Sequence, residues 1–282
     1  MTHAPAHWAG LSLDRPLVMG ILNVTPDSFS DGGKHAATDA IAAGRAMLAA
    51  GVDIIDIGGE STRPNAVPVT LDQEIARVQP VIAALAQEGA VISADTRHAA
   101  TMEAALQAGA RIINDVSGLK HDPRAAALVA QAGCPVVLMH MRGTPQTMNC
   151  QAHYANLIED VLAELTATRD GALKAGIRAD NIALDPGLGF AKLGPQNISV
   201  LRATRRLAAL GHPVLIGLSR KKFIGEAGLE SDAQKRFPGS LAAGLYALSQ
   251  GAHILRVHDV AETLQALRVW ERLVAVDDDP EP

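Results

Sequence analysis

The same short device recurs along the chain: a stretch rich in Ala and Leu, then a glycine, then a run of β-branched residues, as in LAAGVDIIDIGG, LQAGARIINDVSG, AQAGCPVVLMHM, LKAGIRADNIALDPG and LSQGAHILRVHD. Gly51, Gly109, Gly133, Gly176 and Gly251 fall where a helix ending needs the left-handed conformation, and the apolar run behind each has the length of a buried strand. With the runs that lack the full device, strands are expected near Val18 to Asn23, Ile54 to Ile57, Val91 to Asp95, Arg111 to Asn114, Val136 to His140, Ile182 to Asp185, Val214 to Gly217 and Ile254 to Val257. The segments between them carry helical periodicity, with Tyr154, Leu157, Ile158, Val161, Leu162 and Leu165 on one face. Thr70 with Gln73, and Asp259 with Glu262, have capping-box spacing. Near-continuous apolar strands alternating with helices demand a parallel sheet covered by helices. At 282 residues, 48% of them hydrophobic, closure into a single-domain α/β (β/α)8 TIM barrel is the economical solution, and a doubly wound open sheet is the alternative. The barrel is expected over residues 18–276, with a lead-in segment over 1–17 and an acidic tail, 277–282.

Composition narrows the class of function. The 25 Lys and Arg against 30 Asp and Glu give a net charge of -5, and no basic block tracks a phosphate backbone, so nucleic acid is not an expected partner. Cys134 and Cys150 show neither CxxC spacing nor a neighbouring His cluster, which points to a reducing compartment. The opening MTHAPAHWAGLSLDRP lacks a basic region followed by an apolar one, and no apolar run reaches the roughly 20 residues of a membrane span. A cytoplasmic protein with no membrane association is the expectation.

In a barrel of this kind chemistry sits at the C-terminal ends of the strands. Those ends read Asn23, Asp56, Asp95, Asn114 with Asp115, His140, Asp185, Ser219 with Arg220 and Lys221, and Arg256 with His258. Taken singly, Asp56, Asp115 or Asp185 can equally cap a helix, and His140 can be a satisfied core histidine. Converging on one rim, they describe a polar site. Arg256 and His258 close the last strand before a helix start, the usual anion site of the fold, and Arg63 and Lys221 add positive charge. An anionic substrate is implied. Two long loops, NVTPDSFSDGGKH and GGESTRPNAVPVT, have the composition of functional lids. Phe29 and Phe190, two of only four Phe, fall in rim loops, where they suit clamps on a flat substrate, though Phe190 can also pack beneath its loop. GLGFAKLG matches neither a dinucleotide fingerprint nor a P-loop.

In order, VMGILNVTPDSFSDGG, VDIIDIGGESTRP, ADT, INDVSG, LDPGLGFAK, GLSRKKFIG and RVHDV resemble the motif set of the dihydropteroate synthases, over about Val18 to Asp259. The resemblance implies a barrel that joins 6-hydroxymethyl-7,8-dihydropterin diphosphate to p-aminobenzoate, releasing pyrophosphate and 7,8-dihydropteroate, with Mg2+ as cofactor and a homodimeric state. It implies that Asp95, Asn114 and Asp185 accept the N–H edge of the pterin, that Lys221 contacts its carbonyl and ring nitrogen, and that Arg256 stacks on the ring while meeting the diphosphate. Asn23 would help hold Mg2+, with Thr62, Arg63 and His258 on phosphate oxygens; Arg63, Lys221, Arg256 and His258 form the catalytic set. Phe29, Thr62, Pro64, Phe190, Ser219 and Lys221 would line the aminobenzoate pocket. Two departures stand out: Asn65 where many relatives have Gly, and Lys222 where some carry a Ser for the aminobenzoate carboxylate. The rival readings are a pterin-binding methyltransferase barrel, which has no diphosphate to hold, another phosphate-binding barrel enzyme, and a catalytically silent pterin-binding paralogue.

Overall fold

The structure is a computed structural model, and it describes residues 5–25, 36–61 and 69–274. Phe29, Thr62, Arg63, Pro64, Asn65 and the acidic tail lie outside the described residues. A two-stranded hairpin, β1 (His7–Trp8) and β2 (Leu11–Ser12), precedes the barrel strands β3 (Leu17–Asn23), β4 (Ile54–Gly58), β5 (Ile92–Asp95), β6 (Ile112–Asp115), β7 (Val136–Met139), β8 (Ile182–Asp185), β9 (Leu215–Ile216) and β10 (Ile254–Val257). The helices are α1 (Ala36–Ala50), α2 (Leu71–Gln87), α3 (Ala99–Gln107), α4 (Ala125–Ala132), α5 (Leu157–Lys174), α6 (Pro195–Arg202), α7 (Thr204–Ala208), α8 (Lys222–Gly228), α9 (Phe237–Ser249) and α10 (Val260–Val274).

The eight parallel strands pair in the order β8-β7-β6-β5-β4-β3-β10-β9. The two ends of that order meet through a parallel bridge between Leu184 and Val214 and a hydrogen bond from Leu184 N to Pro213 O of 2.8 Å. The sheet therefore closes, and the open doubly wound alternative is excluded. No helix among the described residues is long and apolar enough to cross a membrane.

Local signals explain the elements. All five repeat glycines adopt positive φ, from +63° at Gly133 to +108° at Gly109. Thr70 and Gln73 form the reciprocal capping box that starts α2. On α5, Val161 and Leu165 are buried as the periodicity requires, whereas Tyr154 precedes the helix and donates its hydroxyl to Ala191 O at 2.8 Å. The carboxylate of Asp259 turns to Arg220 at 3.1 Å. The last two connections are each split into two helices, α6 with α7 and α8 with α9, where the periodicity suggests one apiece.

Strand periodicity sorts the side chains. Val18, Leu22, Ile55, Ile57, Ile92, Ile113, Val136 and Leu138 belong to the buried layer between sheet and helices. The alternate residues Leu17, Met19, Ile54, Ile112, Val137, Ala183, Leu215 and Ile254 form a second buried cluster inside the barrel. That inner cluster occupies the starts of the strands, and the hairpin's Trp8, 1% exposed, packs into it as a stopper. Its indole N–H donates to Asn181 O at 3.0 Å. The lead-in segment is thus part of the barrel floor. Trp8→Ala is expected to cost about 3–5 kcal/mol of stability, measured as a lower urea midpoint, because the floor cannot close over the cavity.

Candidate active site

The same alternation that fills the floor with apolar groups carries polar ones to the opposite end. Two residues beyond Ile54, Ile112, Ala183 and Ile254 stand Asp56, Asn114, Asp185 and Arg256; two beyond Ser93 stands Asp95. These share the inner face, so one constellation collects in the lumen at the strands' C-terminal ends.

Arg256 is its hub. Nε donates to Oδ2 of Asp56 at 2.6 Å and a terminal nitrogen donates to Oδ2 of Asp95 at 2.6 Å. Asp56, fully buried, also accepts from Nδ2 of Asn114 at 2.9 Å. A carboxylate can only accept, so Asn114 must present its NH2 group there, and its carbonyl oxygen is left as an acceptor. Asp185 accepts from Gly187 N at 2.7 Å, which aligns the loop after β8. Gly187 is obligatory: its φ is +66° and a Cβ would lie 2.0 Å from His140 O. A Cβ at Gly217 would stand 3.9 Å from both Arg256 Cβ and Asp185 Oδ2, so the lack of a side chain there keeps space open between those groups.

The charges are strongly perturbed. Burial pushes the Asp95 carboxyl up to about 7, although Arg256 opposes the shift. Burial likewise raises Asp185, against Lys221. Burial disfavours the Arg256 charge, but Asp56 and Asp95 outweigh it and hold the guanidinium firmly protonated. Lys221 is lowered by burial to about 8, partly offset by Asp185. Its Nζ donates to Leu188 O and lies 4.7 Å from the centroid of Phe190.

The remaining expected residues separate into groups. His258 meets Ser219, Nδ1 to Oγ at 3.0 Å, so Ser219 is joined to the end of β10. Arg220 is held by Asp259 and by Ser240, whose Oγ accepts Arg220 N at 2.9 Å, and its φ of +59° is fixed by those contacts. Lys222 points outward, 87% exposed, and pairs with Glu226 at 3.4 Å. Asp115 and His140 sit on the other face of their strands. Asp115 accepts from Ser117 N and Leu119 N, at 2.7 and 2.9 Å, as a turn former.

Two residues carry more than the sequence reading assigned them. Asp56 was visible only as one strand end among several, and its signal was parity with Asp95 and Asn114 on the inner face. Lys192, within GLGFAK, is 3% exposed and donates to Gly187 O at 3.1 Å and Phe190 O at 3.0 Å, while its Nζ meets His140 Nδ1 at 2.8 Å. Burial lowers Lys192 to about 7, and it lowers His140 to about 4, against the opposing hydrogen bond to Glu164. The neutral imidazole accepts at Nδ1 from Lys192 and donates at Nε2 to Glu164, 3.1 Å away. This buried chain braces the loop that carries Phe190.

A closed parallel barrel with acceptor groups in its mouth and cations beside them defines a class, and residues 19–258 match the family described as pterin binding enzyme, so this chain belongs to that family. The chain is 46% identical over 267 residues to the dihydropteroate synthase of Neisseria meningitidis serogroup C, covering 93% of this chain and 94% of that one. The dihydropteroate synthase of Xanthomonas albilineans solved with 4-aminobenzoic acid superposes with a TM-score of 0.90 at 46% identity, covering 98% of this chain and 99% of that one. A structure of the X. albilineans enzyme in complex with 7,8-dihydropteroate gives a TM-score of 0.86 at 44% identity, with 94% and 96% covered. Within the pterin-binding enzymes the chain stands among the dihydropteroate synthases, and it is a transferase.

Removing Asp56 leaves a buried guanidinium with one carboxylate instead of two and strips Asn114 of its acceptor. Asp56→Ala is therefore expected to cost about 3 kcal/mol in chemical denaturation, and Asp56→Asn distinctly less, since the amide oxygen still accepts.

Proposed function

We propose that this chain condenses 6-hydroxymethyl-7,8-dihydropterin diphosphate with p-aminobenzoate to give 7,8-dihydropteroate and pyrophosphate. The observation that carries this reading is the buried set Asp56, Asp95, Asn114, Asp185 and Arg256, which offers acceptors for a flat, N–H-edged ring beside a fixed cation. Asp95, Asp185 and the Asn114 carbonyl accept the pterin edge. An analogue lacking those donors leaves buried acceptors unpaired, which discriminates strongly against it. Lys221 donates to the pterin carbonyl and ring nitrogen, and Arg256 lies along the ring toward the diphosphate.

The donor set fits Mg2+ only as an ion shared with substrate. Among the described residues no three His, Cys, Asp or Glu converge as a cage, while Asn23, on the same strand face as Met19 at the open rim, offers a single neutral oxygen. Mg2+ takes oxygen ligands and keeps several waters, so Asn23, diphosphate oxygens and water form a sufficient shell. When bound, Mg2+ neutralises charge on the departing pyrophosphate. Arg256, His258, Thr62 and Arg63 bind the same oxygens through hydrogen bonds. The bond from the methylene carbon to the diphosphate oxygen breaks with its electron pair going to pyrophosphate, and the p-aminobenzoate nitrogen bonds to that carbon and releases a proton. Phe29, Thr62, Pro64, Phe190, Ser219 and Lys221 enclose the amine and exclude water, which holds the two reactants in register. The same reading places the protein in the cytoplasm as a homodimer with a single barrel domain over residues 18–276.

Two measurements test it. Arg256→Ala is expected to lower kcat/KM on the order of 100-fold or more in a coupled assay of pyrophosphate release and dihydropteroate formation, and near-wild-type turnover would remove Arg256 from the mechanism. The pH profile of kcat/KM is expected to be bell-shaped. It falls below about 7 as Asp95 gains a proton and ceases to be a pure acceptor, and it falls above about 8 as Lys221 loses one. In Lys221→Arg, which stays charged, the alkaline limb should move upward; an unmoved limb would assign it to another group.

A further inference from the structure

Outside the lumen, the barrel rim carries a pair of histidines that the proposed reaction does not use. His98 immediately precedes α3, and His121 lies in the connection from β6 to α4. We propose that His98 and His121 together bind one divalent transition-metal ion of the zinc, nickel or copper class.

The first support is ring geometry. The two Nε2 atoms are 3.2 Å apart, and the rings stand at 77° with centroids separated by 4.9 Å. A linear N–H···N bond of that length would place the centroids about 5.5 Å apart, because each centroid lies about 1.15 Å behind its nitrogen. Two lone pairs converging on a point about 2.1 Å from each nitrogen, the distance of a zinc–imidazole bond, place them about 5 Å apart. The observed separation is that of convergence.

The second support is the environment of His98. Its Nδ1 lies 3.0 Å from Oε2 of Glu74, which also accepts the Thr101 hydroxyl at 2.7 Å. The carboxylate accepts a hydrogen bond from Nδ1–H, and the lone pair of Nε2 then faces His121; carboxylate, imidazole and metal form this same series in histidine metal sites. Glu74 is 1% exposed, and its Oε1 has no hydrogen-bond partner among the described residues. Among the described residues this buried carboxylate meets only a hydroxyl and an imidazole, a setting that calls for a cation, and an ion on Nε2 of His98 supplies one.

The pair is also held in place without the ion. Asp122 accepts from Ala99 N at 2.9 Å, tying the start of α3 to the connection after β6, and Ser117 Oγ accepts from His121 N at 3.2 Å. The adjacent Arg97 is neutralised by Glu60 at 3.1 Å. Among the described residues no third His, Cys, Asp or Glu completes a cluster, so water fills the remaining positions. Imidazole donors favour zinc, nickel or copper over magnesium, which keeps this site chemically distinct from the diphosphate site.

The test is calorimetric titration of the chelator-treated full-length protein with zinc chloride in a magnesium-containing buffer, beside H98A, H121A and E74Q. One ion per chain is expected in the wild type, with affinity at least tenfold weaker in each histidine variant and about tenfold weaker in E74Q. His121 is exposed, so H121A should keep its circular dichroism spectrum and its dihydropteroate-forming activity without added zinc. With copper as the probe, paramagnetic resonance should show two coupled nitrogens in the wild type and one in H121A. No uptake by the wild type at about 100 µM free zinc would overturn the proposal. So would undiminished binding in H121A, which would place the ion elsewhere, or loss in only one of the two histidine variants.

Discussion

A strand of four residues inside a closed barrel has only two inward positions, and that limit governs this molecule. Apolar groups occupy the lower position on most strands and hydrogen-bonding groups the upper one: Ile54 below Asp56, Ile112 below Asn114, Ala183 below Asp185, Ile254 below Arg256. The floor is dry and sealed by Trp8, so desolvation penalises every charge held just above it. Those charges persist by pairing. Arg256 reaches two carboxylates at 2.6 Å each, and the strands that supply them, β4 and β5, stand two and three places across from β10. Closure and site are therefore a single problem: an open sheet would leave β8, which carries Asp185, at the edge far from β9 and β10, and Asp185 would not join the cluster around Arg256.

Support for the site comes from outside the lumen. The outward-facing upper positions, Asp115 and His140, brace loops. Asp115 organises the turn after β6, and His140 fixes Lys192, which gathers the carbonyls of Gly187 and Phe190. Burying an ammonium is costly unless its donors are used, and burial accordingly lowers the affinity of Lys192 for its proton. Adjacent strand-end residues, one facing in and one facing out, thus divide between binding and bracing. Asn114 and Asp115 show that division within two consecutive positions.

The fold was legible because its signals are local. Each repeat glycine announces a helix end through a conformation that side chains resist, and each β-branched run is too short for a helix. Strand limits fall within a residue or two of those read from sequence, and the capping box at Thr70 forms as spaced. The rank of the site residues was less legible, because it depends on which face of a strand a residue occupies and on partners far away in the chain. Asp56 and Arg256 are 200 residues apart, and no local pattern shows that one neutralises the other. Asp259 has cap spacing, yet its carboxylate goes to Arg220, since a charge-assisted pair outcompetes a neutral backbone donor. The break of the β9 to β10 connection into α8 and α9 was equally hidden, because Leu229 ends α8 in the left-handed region without the glycine that usually marks such an end.

The placement of charge also explains how one site can serve a neutral ring and a highly anionic leaving group. The carboxylates Asp56, Asp95 and Asp185 sit inside the barrel, and under the proposed function Asp95 and Asp185 accept the N–H edge of the ring. Of the cations, Arg256 lies among these carboxylates, bonded to Asp56 and Asp95, while His258 and Lys221 stand in the loops that follow the strands. Under the proposed function the ring gives up only neutral hydrogen bonds to water, whereas the diphosphate oxygens would keep Arg256 or His258 as a charged partner. Because the Arg256 guanidinium is anchored by two buried carboxylates, under the proposed function it would need no reorganisation as charge moves onto the departing pyrophosphate, which is the condition under which a fixed cation lowers a barrier most.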